Sequence, residues 1–127
     1  MSAMQDHANK TVLAVVNDLF FAAKINEAAK RAGVALEYVT NEKDLLEKAK
    51  TLPTLIIFDL NFDAVRPLRL ISKLKGNAEL KGISLLGYLS HVQVDLKMKA
   101  QETGCDVVLP RSAFSMNLPQ ILKRHAG

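Results

Sequence analysis

A single apolar segment near the middle of the sequence limits the fold more than any other feature. From Thr54 to Phe58 the chain reads TLIIF. A short run of this kind, rich in β-branched residues, is typical of a strand buried on both faces, as in a parallel sheet with helices on each side. The run ends at Asp59, and a carboxylate at that point indicates that the chain leaves the core there.

Four further apolar segments predict strands, and each strand is followed by a segment whose apolar residues have helical spacing. The predicted strands cover Thr11 to Val16, Ala35 to Val39, Thr54 to Phe58, Ile83 to Leu89 and Asp106 to Leu109. The predicted helices cover Leu19 to Ala32, Glu42 to Lys50, Ala64 to Lys75, Ser90 to Thr103 and Ser112 to Lys123. This alternation predicts an α/β fold, a doubly wound five-stranded parallel sheet with five helices.

Residues at the ends of the predicted helices support these boundaries. Gly33 and Gly104 stand where a C-terminal cap is expected. Ser90 and Gln93 match a capping box that opens the fourth helix, and Ser112 can cap the fifth. The residues of the third helix predicted to face inward are Leu68, Ile71, Ser72 and Leu74.

The composition predicts one soluble domain. The chain has 127 residues and is 49% hydrophobic, which is enough for one core and too little for two ordinary domains. We expect a flexible segment at 1–9 and a domain at 10–127. The apolar runs are far shorter than the roughly 20 residues that span a bilayer, and 1–10 lack a signal-peptide pattern, so we expect no membrane association and a cytoplasmic location.

Charge and cysteine content argue against several other classes of protein. The net charge of +4 comes from basic residues scattered among acids, so direct binding to nucleic acid is not predicted. The one cysteine, Cys105, cannot form an internal disulfide and is predicted to be a small buried residue. No Cys and His residues have the spacing of zinc ligands.

Polar residues follow the predicted strands at the edge where a doubly wound sheet binds ligands. That crevice lies at the carboxyl ends of the strands, close to the point where the strand order reverses. The residues at these positions are Asn17 and Asp18, Asp59 and Asn61, Leu89 and Ser90, and Arg111. We expect a functional site to be built from this set.

The motifs of common nucleotide-binding folds and hydrolases are missing from the sequence. Neither G-x-G-x-x-G nor G-x-x-x-x-G-K-[ST] follows the first predicted strand. Ser90 and His91 are sequence neighbours, which do not face each other at the start of a helix, and no G-x-S-x-G elbow is present. We therefore predict that the chain is not an enzyme.

Two loop segments carry a resemblance to a known family. VVNDLF, after the first strand, and IIFDLN, after the third, resemble the corresponding segments of response regulator receiver domains, and the order of elements agrees from Val12 to Leu122. The resemblance implies a CheY-like, flavodoxin-like (βα)5 fold. It also implies that Asp59 is the phosphoacceptor and that Asp18, Asp59 and the backbone carbonyl of Asn61 hold Mg²⁺, a cation that prefers oxygen ligands.

The sequence departs from the pattern of that family at several positions. Asn17 replaces the first acid of the pair and removes a negative charge, which weakens the metal site. Arg111 stands at the lysine position and Ser112 at the proline that follows it, so the charge is kept in a different shape. Leu89 takes the Thr or Ser position, with Ser90 one residue further on. Val108 takes the position of an aromatic residue.

The resemblance implies a function in signalling. We predict a stand-alone receiver-like module of a phosphorelay, without an output domain, that acts on partner proteins and is phosphorylated at Asp59 by a histidine kinase. A weak homodimer through the fourth and fifth helices is implied by resemblance alone. Two alternatives stay open: a pseudo-receiver that is not phosphorylated and serves as a binding scaffold, and a flavodoxin-like binder of a small anion that uses Arg111.

Each candidate residue also has a purely structural interpretation. Asp59 can begin a turn or cap a helix, and Asp18 suits the first turn of a helix because of the helix dipole. Arg111 can be a solvated loop residue. The aromatic side chains Phe20, Phe21 and Tyr88 can form either a core cluster or a partner-binding surface.

Overall fold

The computed structural model describes residues 10–90 and 93–126. The predicted flexible segment 1–9 lies outside the described residues, and so do His91, Val92 and Gly127. Each structural statement below refers to the described part of the chain.

Five parallel strands form one sheet in the described chain. They are β1 (Thr11–Val15), β2 (Ala35–Tyr38), β3 (Leu55–Asp59), β4 (Ser84–Leu89) and β5 (Val107–Pro110). The strand order is β2-β1-β3-β4-β5, and the parallel pairing confirms the predicted sheet. The order reverses between β1 and β3, which is where a ligand crevice is expected in this type of sheet.

Helices cover both faces of the sheet, as predicted for a doubly wound fold. They are α1 (Leu19–Ala32), α2 (Glu42–Ala49), α3 (Pro67–Lys75), α4 (Val94–Thr103) and α5 (Arg111–Ala126), and a short 3-10 turn at Asp63–Val65 precedes α3. None of these helices is long and apolar enough to cross a bilayer.

Two apolar clusters fill the space between the sheet and its helices. Side chains alternate along β3, so Leu55 and Ile57 pack toward α1 and α5, while Ile56 and Phe58 pack toward α2, α3 and α4. A strand with apolar side chains on both faces can only be buried between two layers of helices. Cys105 belongs to the second of these clusters and is buried, as predicted.

The ends of α1 agree with the sequence. Asp18 is the N-cap, and its carboxylate accepts hydrogen bonds from the N–H groups of Phe20 and Phe21. Gly33 ends the helix at φ 75°, a left-handed conformation that glycine adopts without strain. Gly104 ends α4 in the same way at φ 119°. Both predicted glycine caps are confirmed.

The predicted start of the third helix is wrong. α3 begins at Pro67 and not at Ala64, because the residue before a proline avoids the helical region; Arg66 lies at φ 53°. The predicted inward face of the third helix is confirmed in part, because Ile71 and Leu74 are buried and Leu68 is half-buried. Leu70 is buried there, and Ser72, which was predicted to face inward, is exposed.

Two further predicted helix caps are wrong. α4 begins at Val94, and Ser90 does not cap it, because the Ser90 N–H is bonded to the β3–α3 loop and holds this residue in the β4–α4 connection. α5 begins at Arg111, one residue before the predicted cap Ser112. It also continues to Ala126, past Pro119, where buried Leu118 and Leu122 anchor it to the sheet.

Candidate functional site

Four of the predicted residues, those that follow the first and third strands, meet in one cleft at the carboxyl ends of β1 and β3, whereas Leu89, Ser90 and Arg111 do not line it. The cleft has a volume of about 340 Å³, and we call it the acid cleft. Its polar lining residues are Asn17, Asp18, Asp59, Asn61 and Asp63. The register explains the meeting, because Val15 pairs with Phe58 and the two strands therefore end at the same level.

Asp59 is the last residue of β3 and lies at the bottom of the acid cleft. Its side chain is buried, with 7% of the residue exposed, so the prediction that the chain leaves the core at this residue is wrong. Oδ1 accepts a hydrogen bond of 2.9 Å from the N–H of Asn61. Burial raises the pKa of the carboxyl group, while the Asn61 N–H and the charge of Arg111 act in the opposite direction. Asp59 begins a turn, but it does not cap α3, which starts eight residues later.

Asp18 has two contacts that occupy its two carboxylate oxygens. Oδ1 accepts the N–H of Phe20 at 2.8 Å and that of Phe21 at 3.4 Å, which caps α1. Oδ2 lies 3.7 Å from Nη2 of Arg111. Asp18 is therefore the N-cap of α1 and lies just before the first turn, in which its structural interpretation had placed it, and the same side chain also faces the acid cleft.

Arg111 is the first residue of α5 and not a solvated loop residue. Its side chain lies over the ring of Phe21, with Cζ 4.9 Å from the ring centroid, and it is 39% exposed. Nε is buried and has no hydrogen-bond partner among the described residues. The guanidinium therefore extends from the aromatic cluster to Asp18 and influences the charge of Asp59.

The side chain of Asn61 connects two loops at the edge of the site. Oδ1 accepts the Ser90 N–H at 2.8 Å, and Nδ2 donates to Oε1 of Gln93 at 3.0 Å. The sequence assigned a role only to the backbone carbonyl of Asn61, so this bridge was missed. No local signal predicts it, because the two loops are about thirty positions apart in the chain and meet only in the folded sheet.

Leu89 and Val108 both belong to the apolar cluster under α2, α3 and α4. Both are buried. Ser90 lies outside this cluster, and its hydroxyl donates to Oε1 of Gln93 at 3.4 Å. The end of β4 therefore places an aliphatic side chain in the core and a hydroxyl on the next residue, in the loop that contacts Asn61.

The aromatic residues divide between core and surface. Tyr88 stacks on Phe21 and Phe114, with centroid distances of 5.1 and 4.7 Å, so these rings form a core cluster. Phe20 is 65% exposed and belongs to the surface. The Tyr88 hydroxyl is buried without a hydrogen-bond partner in the described chain, and burial raises its pKa above the ordinary value.

A second concavity of about 590 Å³ is lined by Arg111, whose guanidinium faces Asp18 of the acid cleft. Its lining includes Phe20, Lys24, Ser90, Arg111 and Ser115. Lys24 donates to the Ser115 hydroxyl at 3.1 Å and lies 4.8 Å from the centroid of the Phe20 ring. This concavity therefore presents two cations and several hydroxyl groups beside an exposed aromatic ring.

The acid cleft offers oxygen ligands that suit a hard divalent cation, although they are few. Asp18 and Asp59 supply carboxylates, and the Asn61 carbonyl, which already accepts the Asp63 N–H at 2.9 Å, keeps a second lone pair. Within the described residues, no three acidic, His or Cys side chains lie close enough together to hold a metal. The residues present fit a cation that keeps several water ligands.

Comparisons with known proteins identify the fold. No protein-family model matches the sequence, and no curated protein matches it significantly. A search of solved structures gives 150 matching chains. A response regulator from Hahella chejuensis is 19% identical with a TM-score of 0.80, over 91% of this chain and 94% of that one.

Two other solved structures are similar over the same share of this chain, with somewhat lower TM-scores. The phosphorylated cyanobacterial phytochrome response regulator RcpA is 18% identical with a TM-score of 0.75, over 91% of this chain and 89% of that one. The Mn²⁺-bound form of response regulator Rcp1 is 18% identical with a TM-score of 0.71, over 91% of this chain and 90% of that one. This likeness confirms the predicted CheY-like receiver fold.

Proposed function

We propose that the chain is a receiver-like signalling module that accepts a phosphoryl group on Asp59. The observation that carries this proposal is that Asp59 and Asp18 line one cleft at the reversal of strand order, while Arg111 faces Asp18 and acts on the charge of Asp59. Solved proteins of the same fold include a phosphorylated response regulator and one that binds Mn²⁺. In this role the chain passes on a signal and is not an enzyme.

The chemistry follows from the position of the Asp59 carboxylate. Oδ1 is held by the Asn61 N–H, which leaves Oδ2 to attack the phosphorus of a donor phosphohistidine. The O–P bond forms as the P–N bond breaks, and the imidazole leaves with the electron pair of that bond. Arg111 then neutralises charge on the phosphoryl oxygens. Mg²⁺, when held by Asp18, Asp59 and the Asn61 carbonyl, supplies further positive charge to the same oxygens.

We propose that the partners are proteins, a histidine kinase as donor and a signalling protein as target. The exposed Phe20 ring on α1 and the second concavity, which it lines together with Arg111, offer a contact surface. A weak homodimer through α4, β5 and α5 stays a prediction. Exposed apolar side chains on these elements, Val94, Met98 and Val107, are compatible with it.

Intact-mass spectrometry after incubation with acetyl phosphate and Mg²⁺ tests the proposal. We expect the wild-type chain to gain one phosphoryl group and Asp59→Asn to gain none. Asp63→Asn is the matched control, because Asp63 lines the same cleft as an exposed acid. A wild-type chain that gains no mass with acetyl phosphate, and none with a histidine kinase, would refute phosphorylation.

A pseudo-receiver is the second candidate, and the contacts of Asp18 favour it. One oxygen caps α1 and the other faces Arg111, so a cation must compete for a carboxylate that already has partners. Asn17 adds no charge to the site. In this candidate the cleft is a scaffold, and partner binding proceeds without phosphorylation. Partner affinity that is equal for wild type and Asp59→Asn would support it.

A flavodoxin-like binder of a small anion is the third candidate. The cations Lys24 and Arg111 in the second concavity favour an anionic ligand. The flavin form of this candidate requires a flavin absorption band in the purified protein. A colourless preparation to which added flavin mononucleotide does not bind would exclude it.

A further inference from the structure

The contact between Arg111 and Asp18 bears on how the acid cleft is regulated, on the premise of the proposed function. We propose that Arg111 and a divalent cation compete for Asp18, and that an oxyanion next to Asp59 relieves this competition. The cation site of this chain is then closed at rest and opens when an anion is present.

Asp18 cannot serve the guanidinium and a metal ion at the same time. Its Oδ1 is committed to the N-cap of α1, so Oδ2 is the oxygen left to bind a cation. That oxygen lies 3.7 Å from Nη2 of Arg111. A divalent ion placed there would repel the guanidinium at short range, in a cleft that is partly shielded from water. The ion must therefore displace Arg111 or bind weakly.

The neutral residue Asn17 makes this competition more effective. Arg111 faces Asp18 and acts on the charge of Asp59, and Asp63 is a third, exposed acid of the same cleft. Because Asn17 is neutral, one guanidinium cancels a larger share of the negative charge that would attract a cation than it would beside a further acid. The neutral side chain of Asn17 thus increases the effect of the Arg111 charge on cation binding.

An oxyanion offers Arg111 more favourable contacts than Asp18 does. Its Nε is buried and unpartnered among the described residues, and its contact with Asp18 is longer than a hydrogen bond. A phosphate or phosphoryl group offers several acceptor oxygens to the planar fork of the guanidinium, which binds such groups bidentately. Turning to the anion therefore satisfies more donors than the resting contact does.

Anion and cation binding are consequently coupled. If an anion releases Asp18 from Arg111, it strengthens cation binding, and by linkage the cation strengthens anion binding by the same factor. A chain of this design binds Mg²⁺ poorly alone and better together with inorganic phosphate.

Isothermal titration of Mg²⁺ into the full chain tests the competition. We expect Arg111→Met to bind Mg²⁺ about fivefold more tightly than wild type, because an ion pair of this exposure is removed. Arg31→Met is the matched control. It removes the same charge from a pair with Glu27 at the far end of α1, and its Mg²⁺ affinity should equal that of wild type.

A second titration in inorganic phosphate tests the coupling. Phosphate should tighten Mg²⁺ binding by wild type several-fold and should have no such effect on Arg111→Met. Asp59→Asn should weaken Mg²⁺ binding both in the wild-type chain and in Arg111→Met. This result would show that the measured heat comes from Mg²⁺ binding in the acid cleft. Arg111→Lys, a smaller change, should give an intermediate affinity, and amide NMR spectra check that each variant is folded.

Either part of the proposal can fail independently of phosphorylation. Equal Mg²⁺ affinity for wild type and Arg111→Met overturns the competition. If Arg111→Met binds Mg²⁺ more tightly but phosphate does not change the Mg²⁺ affinity of wild type, the coupling is overturned. These titrations contain no phosphoryl donor, so their outcome does not depend on whether Asp59 can be phosphorylated. A protein that is never phosphorylated can show both the competition and the coupling, and a protein that is phosphorylated can show neither.

Discussion

Asp59 places a carboxylate in the acid cleft at a cost to the stability of the fold. It is a buried carboxylate, and within the described chain its hydrogen-bond support comes from one backbone N–H. The Asn61 N–H and the positive charge of Arg111 lower the pKa of Asp59, but burial has the larger effect and raises it. Groups with this kind of imbalance are frequent at functional sites.

The raised pKa of Asp59 predicts a pH-dependent effect of Asp59→Asn on stability. The folded chain holds the proton more tightly than the unfolded chain does, so the contribution of Asp59 is fully present below its ordinary pKa of 3.8 and is lost as the pH rises through the folded value. At neutral pH the ionised carboxylate therefore destabilises the fold. We expect Asp59→Asn to be more stable than wild type there, by about 1 kcal/mol.

Urea unfolding at neutral pH and at about pH 3 measures this effect. The advantage of Asp59→Asn should shrink toward zero at the lower pH, where the wild-type carboxyl group is protonated. Asp63→Asn, an exposed acid of the same cleft, should change stability little at either pH. An Asp59→Asn variant that is less stable than wild type at neutral pH would mean that Arg111 and Asn61 outweigh burial.

At the scale of the elements, the sequence predicts what local chemistry determines. The strand β3 and the helix α1 follow from an apolar run and from the residues Asp18 and Gly33 at the helix ends, all of which lie within one segment. The start of α4 could not be predicted, because Ser90 has the right neighbours for a capping box but is held by Asn61 from another loop.

The same distinction applies to the candidate site. The positions of Asn17, Asp18, Asp59 and Asn61 around one cleft follow from strand order alone, since each lies at the carboxyl end of β1 or β3 or within three residues after it. The pairing of Arg111 with Asp18, and the bridge from Asn61 to Gln93, depend on side-chain directions that arise only when distant segments pack.

The Asn61 bridge predicts that the β4–α4 loop depends on the β3–α3 loop for its order. Asn61→Ala removes the acceptor of the Ser90 N–H and the donor to Gln93. We expect the Ser90 amide to exchange with solvent about tenfold to a hundredfold faster, the effect of losing a bond worth roughly 1–3 kcal/mol. Hydrogen exchange followed by NMR measures this rate.

Asn77→Ala is the control for that measurement. Asn77 accepts the Glu79 N–H in an exposed turn after α3, so its loss should leave the exchange of Ser90 unchanged. Asn61→Asp, which keeps the acceptor oxygen and loses the amide donor, should fall between wild type and Asn61→Ala. If Ser90 exchanges at the wild-type rate in Asn61→Ala, the two loops are ordered independently.

At the scale of the whole molecule, the fold is shared with proteins that are under 20% identical to this chain. Sequence identity this low is compatible with the same fold because the sheet needs apolar strands of the right length and not particular residues. Asn17 and Arg111, which depart from the sequence pattern that this chain otherwise resembles, do not affect the order of the strands. Fold and chemistry can therefore diverge at separate positions of one chain.

Cys105 offers a measure of how cooperatively the whole domain unfolds. It is the one cysteine of the sequence, and it is buried between α4 and β5, where burial raises its pKa to about 11. A thiol reagent needs an exposed thiolate, so it should react only after the surrounding cluster opens. We expect Cys105 of the native protein to be labelled slowly, at a rate that follows the free energy of unfolding of the whole domain.

Gly87→Ala tests this expectation, because a Cβ at Gly87 would come within 2.8 Å of the buried Leu60 side chain. Overpacking of this kind costs about 1–3 kcal/mol. If the domain opens as one unit, the labelling of Cys105 should accelerate by the factor that the loss of stability in urea implies, about tenfold for each 1.4 kcal/mol. Gly82→Ala, where a Cβ meets nothing within 4 Å, should label at the wild-type rate. Labelling of both variants at one unchanged rate would instead show that β5 and α4 open locally, without the rest of the sheet.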